Sequence, residues 1–396
     1  MKKILAITGI RSDYDLLSSL YRRLSNDADV DFRLLVGGAH LSKTYGYTVD
    51  LIKKDGIPIL AMVESLMDSD TPSSRLKTAS IMLQSSIDIV ASWAPDLILY
   101  AGDREEVWIG ALLGVYLEIP TVHFYGGDHT VTGHVDNPVR HAVSKLSTVH
   151  MVTIEEHKRR LQCLGESDSR IYVIGNISLD NFITQERIPF GELKARLGIP
   201  TKIDQYALVI FHPDPSERSC AAEIFENILK ELKRTGLGGC VGYPNTDPSN
   251  KVIIDVMNKY RDDPSFYFYR NLCREDFISL YKQAQCIVGN SSSGIMEAAS
   301  IPIPAVNVGL RQVGRLAGEN VIFCGSSREE INDALRKVIS EEFRRKIATM
   351  KNPYGDGKSA ELAHRILLEN DFATIRLKTE DPLDLGCTSL INKEAL

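Results

Sequence analysis

The hydrophobic pattern divides the first half of the chain into short apolar runs that alternate with longer amphipathic stretches. The short runs are rich in β-branched residues, as strands are; they read KILAIT, DFRLLV, PDLILYA, PTVHFY and VHMVT. The helix-like stretches between them cover residues 14–25, 74–93, 104–117 and 154–164. This alternation predicts β-α-β units, and therefore a parallel sheet with helices on both faces.

The same alternation starts again in the second half. Its strand-like runs read YALVIF, GGCVGY, SFYFY, QCIVG, PAVNV and NVIFC. Its helix-like stretches lie near residues 217–235, 250–260, 274–283 and 328–340. We therefore expect an α/β fold of two doubly wound, Rossmann-like domains, residues 1–180 and 181–357, with a tail at 374–396. Ligands should bind where the parallel strands end, in the cleft between the domains.

Composition narrows the class of protein. The chain has 396 residues, of which 43% are hydrophobic and 25% charged, enough for about two globular domains. A net charge of −6 argues against nucleic-acid binding. The start, MKKILAITGI, is too short an apolar run for a signal peptide or a membrane span, and the seven cysteines form no C-x-x-C pair. We expect a cytoplasmic protein without nucleic-acid or membrane partners.

Unusual residues collect in the loops that follow the predicted strands. In the first half these loops read TGIRSDYDLL, AGDREE and YGGDHTVTGHVDNPVRH. In the second half they read FHPDPSE, YPNTD, YRNLCRED, GNSSSGIME and VGLRQVGR. None is a Walker A loop or a G-x-G-x-x-G fingerprint, so the usual ATP-binding and NAD-binding sites lose support.

The loop GNSSSGIME suits a phosphate. A glycine turn from strand to helix exposes backbone N–H groups, and Ser291 and Ser292 add hydroxyl donors. Glu297 follows about one helical turn later, where a carboxylate can accept hydrogen bonds from two ribose hydroxyls. For this stretch alone, an N-cap role for a serine, with Glu297 as partner of the helix dipole, remains open. Three cations from other strand-exit loops favour a diphosphate site: Arg11, His212 and Arg311.

Six motifs occur in a fixed order along the chain: TGIRSDYDLL, AGDR, GGD followed by VDNPVRHAVSKLS, YPN, GNSSSGIMEA and VGLRQVGR. Together they resemble the hydrolysing UDP-N-acetylglucosamine 2-epimerases of sialic acid and related nonulosonic acid biosynthesis. The resemblance covers residues 1–370 and implies a glycosyltransferase-B-like fold, with a final helix at 358–370 that returns to the first domain. The start T-G-x-R-x-D-Y is similar to the hydrolysing branch, which releases UDP.

The resemblance also implies a role for individual residues. In the first domain it implies Asp103 and Asp136 as catalytic carboxylates, and Arg11, Arg104 and Arg140 as cations at the phosphates or the sugar. In the second domain it implies His212 and Arg311 at the diphosphate, Ser291, Ser292 and Glu297 at the nucleotide, and Asn245 and Arg270 nearby.

The chain departs from the family at one catalytic position. The family commonly has a glutamate immediately before the paired glycines of the fifth-strand loop, where this chain has Tyr125. Asp128, just after the glycines, is a carboxylate close by. We therefore add both to the candidate catalytic set, with the tyrosine hydroxyl as a proton donor, because a pKa near ~10 suits donation better than abstraction. The implied reaction passes through an unsaturated sugar, a glycal, to which water is then added. Tyr125→Phe would remove the proton donor for that second half, so the glycal would accumulate.

The implied reaction needs neither a metal nor a redox cofactor. Loss of the C2 proton and of UDP gives a glycal, and water addition then yields a free ManNAc-type sugar. The substrate would be UDP-GlcNAc or a modified UDP-HexNAc such as UDP-diacetamidobacillosamine. We expect a homo-oligomer, dimer or tetramer.

Several alternatives remain open on the sequence alone. His129, His134 and His141, with Asp128 and Asp136, resemble a metal cluster, but their spacing matches no standard zinc motif, so we expect no metal. Asp103 could simply cap the helix that follows it. A nucleotide-sugar glycosyltransferase of the same fold would require an acceptor, and a non-catalytic UDP-sugar-binding protein would show no turnover.

Overall fold

The computed structural model describes residues 1–67, 69, 71–129, 135–244 and 249–382. The chain separates into two compact units. Among the described residues, unit 1 holds 1–129, 135–180 and 354–382, and unit 2 holds 181–244 and 249–353. In these ranges, no helix is both long and apolar enough to cross a membrane.

Unit 1 is built on a parallel sheet of seven strands. The strands are β1 Lys2–Thr8, β2 Val30–Gly37, β3 Ile59–Val63, β4 Leu97–Ala101, β5 Thr121–Phe124, β6 Val149–Val152 and β7 Ile171–Val173. The helices between them are α1 Arg11–Ser25, α2 Val49–Lys54, α3 Pro72–Trp93, α4 Glu105–Tyr116, α5 Asp136–Leu146 and α6 Glu155–Cys163. The strand order is β3-β2-β1-β4-β5-β6-β7, so the chain reverses direction across the sheet between β1 and β4. Open α/β sheets bind ligands at the carboxyl ends of such a pair.

Unit 2 repeats this winding with six parallel strands, after the helix α7 Ser178–Thr184 at the junction. The strands are β8 Tyr206–Ile210, β9 Gly238–Gly242, β10 Phe266–Tyr269, β11 Cys286–Gly289, β12 Ala305–Val308 and β13 Val321–Cys324. The helices are α8 Phe190–Leu197, α9 Ala221–Thr235, α10 Asn250–Lys259, α11 Arg274–Lys282, α12 Ser293–Met296, α13 Arg328–Val338 and α14 Glu341–Ile347. The order β10-β9-β8-β11-β12-β13 places the switch point between β8 and β11.

Each sheet separates two hydrophobic cores. Along β1, Ile4 and Ala6 join one core while Leu5 and Ile7 join the other. Along β8, Ala207 and Val209 face one core and Tyr206 and Leu208 the other. Successive side chains of a strand point to opposite faces, so a strand buried on both faces must be apolar throughout. This explains why the central strands are continuous apolar runs.

The chain returns to unit 1 through α15, Ser359–Glu369, which packs against α1. Ala360, Ala363 and Leu367 join the core that contains Ile4. Residues 371–382 follow, in the region where the sequence predicted a tail, and part of this segment contacts Arg170 and Glu166 of unit 1. Residues 383–396 lie outside the described ranges.

The predicted fold class of two doubly wound domains is confirmed, and every predicted strand is present. The strands β3 and β7 and the helices α2, α5, α7 and α8 were not predicted. β3 lies at a sheet edge and pairs with β2 through a register shift, and β7 has 3 residues. Such short edge strands carry too little periodic signal to be recognised.

Candidate active site

A buried cation in unit 1 faces the three carboxylates that the sequence analysis selected. Arg140, 4% exposed, lies in α5, and its Nη2 donates to Asp103 Oδ2 in a close ion pair. Its Nη1 donates to the carbonyl oxygen of Asp128 at 2.8 Å. Burial alone would lower the pKa of Arg140, but the negative charges of Asp103, Asp128 and Asp136 raise it above its usual value. The structure therefore brings these four predicted residues together.

Chain topology explains this convergence. Asp103 follows β4 and Asp128 follows β5, and these strands are neighbours that pair through Ala101 and Phe124. Asp136 is the first residue of α5, where a carboxylate is favoured by the positive end of the helix dipole. The N-cap of α4 is Arg104 rather than Asp103, and no side chain caps this helix. Asp103 is therefore not a helix cap.

Asp128 is held in a tight turn. Its Oδ1 accepts from the N–H of His129 at 2.8 Å and lies 3.5 Å from Nε2 of His157. Gly127 has φ of 75°, and a Cβ there would lie 2.2 Å from the carbonyl oxygen of His157, so the turn requires glycine. The rings of His129 and His141 stack at 5.8 Å, while His134 lies outside the described residues.

Arg11 is the first residue of α1, directly after the loop that follows β1, and a neighbouring carboxylate holds this loop. Arg11 Nε donates to Asp15 Oδ2 at 3.2 Å. Asp13 accepts from the Thr8 hydroxyl and, at 3.0 Å, from the N–H of Gly9. Thr8 Oγ1 also lies 2.9 Å from Nε2 of the buried His40. We did not select Asp13 or His40 from the sequence, although Asp13 stands in a quoted strand-exit loop.

Glu106 is a buried carboxyl group at the same switch point, and it too was missed. Its side chain packs against Gly9, where a Cβ would lie only 1.9 Å from Glu106 Oε1. Burial raises the pKa of Glu106, and the charge of Asp13 raises it further, while Arg104 opposes this. The loop after β1 is thus in direct contact with the first turn of α4, so Arg11 and Asp103 lie on the same edge of the sheet.

A buried histidine, His123, contacts the residue before Asp103. Burial lowers the pKa of His123 to about 3, so its ring is neutral at physiological pH. His123 Nε2 lies 2.8 Å from the carbonyl oxygen of Gly102, and Nδ1 lies 3.0 Å from Ser144 Oγ. A neutral ring has one N–H, which the carbonyl requires, so Nδ1 is an acceptor for the Ser144 hydroxyl, which also lies 3.0 Å from the carbonyl oxygen of Arg140. This connects α5 to the residue before Asp103.

The position of Tyr125 does not favour the predicted role in proton donation. Its hydroxyl donates to the carbonyl oxygen of Leu16 at 3.2 Å and to Asn176 Oδ1 at 3.0 Å. The side chain packs against the core that contains α1 and α15. These contacts favour a structural role, connecting β5 to α1 and to the segment after β7. This orientation could not be predicted from the sequence, because it depends on packing between distant elements.

In unit 2, Asn290 connects three of the predicted nucleotide-binding loops. Asn290 is fully buried at the end of β11, and its side chain exchanges two hydrogen bonds with the backbone of His212, both 2.8 Å long. Its carbonyl oxygen accepts from Arg311 Nη1 at 2.9 Å and from Gln312 Nε2 at 3.0 Å. The loops that carry His212, Ser291 and Arg311 therefore meet at one residue. Asn290 stands inside the motif GNSSS, but we did not single it out.

The serine turn differs in part from the expectation. The helix that follows β11 is α12, with only 4 residues, and a 3-10 turn follows it directly. Ser292 is its N-cap but makes no side-chain cap bond, whereas Ser291 Oγ accepts from the N–H of Ser293 at 3.3 Å. Glu297 is the C-cap residue of α12. Burial raises the pKa of Tyr281, and the negative charge of the nearby Glu297 raises it further.

The remaining second-domain candidates are Arg270 and Asn245. The guanidinium of Arg270, after β10, stacks on the ring of Tyr243 with its carbon 4.4 Å from the ring centroid. In the sheet, β9 lies between β10 and β8. Asn245 lies outside the described residues. Among described residues, no group of three or more His, Cys, Asp or Glu side chains could hold a metal ion.

Comparisons with known proteins identify the family of the chain. The profile of the family described as UDP-N-acetylglucosamine 2-epimerase matches residues 22–368. The hydrolysing UDP-N,N'-diacetylbacillosamine 2-epimerase of Legionella pneumophila is 34% identical over 93% of this chain and 96% of that protein. A UDP-N-acetylglucosamine 2-epimerase of Neisseria meningitidis serogroup B is 31% identical over 86% of this chain and 88% of that protein.

A solved structure supports the fold. The UDP-GlcNAc 2-epimerase from Neisseria meningitidis, bound to UDP-GlcNAc, has a TM-score of 0.79 and 19% identity, covering 93% of this chain and all of that one. This likeness confirms the predicted glycosyltransferase-B-like type of fold. The profile spans most of the sequence, and the two relatives match over most of both lengths. The chain therefore belongs to the UDP-N-acetylglucosamine 2-epimerase family.

Proposed function

We propose that the protein is a hydrolysing 2-epimerase that converts UDP-GlcNAc, or a modified UDP-HexNAc such as UDP-diacetamidobacillosamine, into a free ManNAc-type sugar and UDP. The observation that carries this proposal is the cluster of Asp103, Asp128 and Asp136 around the buried Arg140. A carboxylate can act as a general base, and the ion pair with the buried Arg140 holds Asp103 in place for that role. The name of the Legionella relative supports hydrolysis as the outcome.

The reaction has two halves. In the first, a carboxylate accepts the C2 proton, the C1–C2 bond becomes double, and the C1–O bond breaks with its electron pair leaving on UDP. In the second, water adds at C1 and a proton reaches C2 from the face that leaves the acetamido group inverted. We assign the proton transfers to Asp103, Asp128 and Asp136, with Arg11 and Arg104 facing the phosphates or the sugar.

Unit 2 would hold the nucleotide. We assign His212 and Arg311 to the diphosphate, because cations and N–H donors stabilise the charge that develops on a leaving phosphate. We assign Ser291, Ser292 and Glu297 to the nucleoside, and Asn245 and Arg270 to its surroundings. The support is the Asn290 cluster, which holds His212 and Arg311 within hydrogen-bond distance of one residue.

Substrate and reaction type are tested together by one assay. Purified protein is incubated with UDP-GlcNAc or with UDP-diacetamidobacillosamine, and UDP and free sugar are measured without any acceptor. We expect equal amounts of UDP and free 2-epimerised sugar from at least one of them. UDP release that requires an added acceptor would indicate a glycosyltransferase. Tight binding without turnover of either would indicate a non-catalytic UDP-sugar-binding protein.

Glu297→Gln tests the nucleotide half of the site separately. The substitution keeps the shape of the side chain but replaces a carboxylate oxygen, which accepts hydrogen bonds, with an amide that donates them. Losing a hydrogen bond to a charged group costs about 1.5–3 kcal/mol, so we expect UDP affinity to fall roughly 10-fold to 150-fold in calorimetry. Glu319→Gln is the matched control, since Glu319 is exposed and pairs with Lys346 at 3.4 Å. Unchanged UDP affinity in Glu297→Gln would remove Glu297 from the site.

Two further properties remain proposals. We propose a cytoplasmic location, supported by the cysteine usage of the sequence, which has no C-x-x-C pair among seven cysteines.

We also propose a homo-oligomer, dimer or tetramer. Several apolar side chains of α3 and α4 are exposed and are compatible with assembly: Leu76, Ile81, Ile87, Trp108, Val115 and Tyr116.

A further inference from the structure

A segment near the C-terminal end of the described chain is fastened to unit 1 by a buried arginine. We call residues 375–380 the strap. Arg170, 4% exposed, forms a bidentate pair with Glu380, Nε to Oε1 at 2.7 Å and Nη2 to Oε2 at 3.1 Å. It also donates to the carbonyl oxygens of Ile375 and, at 2.9 Å, Leu377. A buried bidentate arginine pair is geometrically specific, so it fixes the register of the strap on the unit.

Lys378 carries the strap onto the end of α5. Its Nζ donates to the carbonyl oxygens of Ser144 at 3.2 Å and Lys145 at 3.0 Å, and to Glu166 Oε2 at 2.6 Å. An ammonium group has three N–H donors, and here each has an acceptor. The last carbonyls of a helix lack intrahelical partners and carry the negative end of its dipole. Lys378 therefore caps the C-terminus of α5 from a distant part of the sequence.

Glu166 is the buried carboxylate that holds Lys378 at the end of α5. It is 2% exposed, and its carboxylate also pairs with Lys145 Nζ at 2.7 Å and His150 Nε2 at 2.9 Å. Burial alone would raise the pKa of Glu166, but the hydrogen bond from His150 and the charge of Lys378 lower it to about 2. Glu166 is thus an anion at all ordinary pH values. Glu166 therefore pairs with Lys145 in α5 and with Lys378 in the strap.

The other end of the same helix carries the catalytic candidates. Arg140 lies about one helical turn before Ser144, and its guanidinium pairs with Asp103. Ser144 also bonds His123, whose other ring nitrogen contacts the carbonyl oxygen of Gly102, next to Asp103. Any shift of the end of α5 would therefore reach Asp103 along two routes, through Arg140 and through His123.

We propose that the strap positions the Arg140–Asp103 pair, with Lys378 as the positioning residue that fixes α5. This rests on the proposed function insofar as the pair acts on substrate. Lys378 does not touch the reacting atoms, so its removal should change the rate of the chemical step and leave ground-state binding of the nucleotide unchanged. Small misplacements of catalytic groups have large kinetic effects, up to ~10²-fold for about 1 Å.

The kinetic test compares Lys378→Met, which keeps length but loses the charge and its donors, with Lys378→Arg, which keeps both. We expect kcat of Lys378→Met to fall roughly 10-fold to 100-fold, with KM and UDP affinity within about 3-fold. Lys378→Arg should recover most of the rate. Lys346→Met is the matched control, because Lys346 is 60% exposed and pairs with Glu319 in unit 2. An unchanged kcat, or a fall no larger than the loss of folded protein, would overturn the proposal.

A second readout does not depend on turnover. We expect hydrogen exchange of the α5 amides and of residues 102–104 to be faster in Lys378→Met, while peptides from unit 2 exchange as in the wild type. Glu380→Gln loosens the strap without touching Glu166 or Lys378, so it should produce a smaller change in the same peptides and in kcat even if Lys378→Met fails to fold. Unchanged exchange in both variants would refute the coupling. A third outcome separates the two proposals. If exchange is faster in the variants than in the wild type, but neither the wild type nor the variants turn over a UDP-sugar, the proposed function is refuted and the coupling stands.

Discussion

Replacing Asp103 with asparagine is expected to lower kcat by roughly 10²–10⁴-fold while UDP affinity stays within a few-fold. The carboxylate is proposed to act at C2, and an amide cannot take up that proton. Its contribution develops only in the transition state, so ground-state binding of the nucleotide should be unaffected. Asparagine is also nearly isosteric and can still accept a hydrogen bond from Arg140 through Oδ1.

The structure adds a control that this experiment requires. Arg140 is buried and pairs with Asp103, and removing one partner of a buried pair can cost ~3–5 kcal/mol of stability. The charges of Asp128 and Asp136 still face Arg140 and reduce this cost. Thermal unfolding of Asp103→Asn should therefore be measured beside Asp168→Asn, whose carboxylate is 68% exposed. If turnover survives in folded Asp103→Asn, Asp128 becomes the leading candidate for the base.

The architecture was predictable because burial on both faces leaves a strong signal. Runs such as QCIVG and YALVIF became the paired strands β11 and β8, since a central parallel strand must be apolar at every position. The helix α5 was missed although it carries both Asp136 and Arg140. Its sequence begins with polar residues and a proline, so its hydrophobic period is short.

The candidate site was predictable only as far as loops could be assigned to strand ends. Asp103, Asp128 and Asp136 were selected from two motifs, and their convergence on Arg140 follows from the adjacency of β4 and β5. Asn290 and Glu106 were missed because one sequence does not distinguish a polar residue that faces a ligand from one that connects two loops. The direction of the Tyr125 side chain depends on contacts with Leu16 and Asn176, which are distant in sequence.

Reaction in D₂O is expected to place deuterium at C2 of every free sugar molecule that the enzyme releases. In the glycal route the C2 hydrogen leaves in the first half and a solvent hydrogen arrives in the second, whereas simple hydrolysis would keep the original hydrogen. Mass spectrometry and proton NMR of the product distinguish the two outcomes. Unlabelled free 2-acetamido-2-deoxymannose, incubated with enzyme and UDP in D₂O, is the control, and it should remain undeuterated.

Tyr125→Phe extends this test to the position where the chain departs from its family. The Tyr125 hydroxyl donates to Leu16 and Asn176, so we expect the variant to lose about 1–3 kcal/mol of stability, by thermal unfolding, and to release product with the same deuterium label and no build-up of glycal. Asp103, Asp128 and Asp136 would then carry both proton transfers. Accumulation of glycal by Tyr125→Phe would instead assign the hydroxyl to the hydration half, as the sequence alone implied. Product without deuterium at C2 from the wild type would reject the glycal route itself, whichever residue donates the proton.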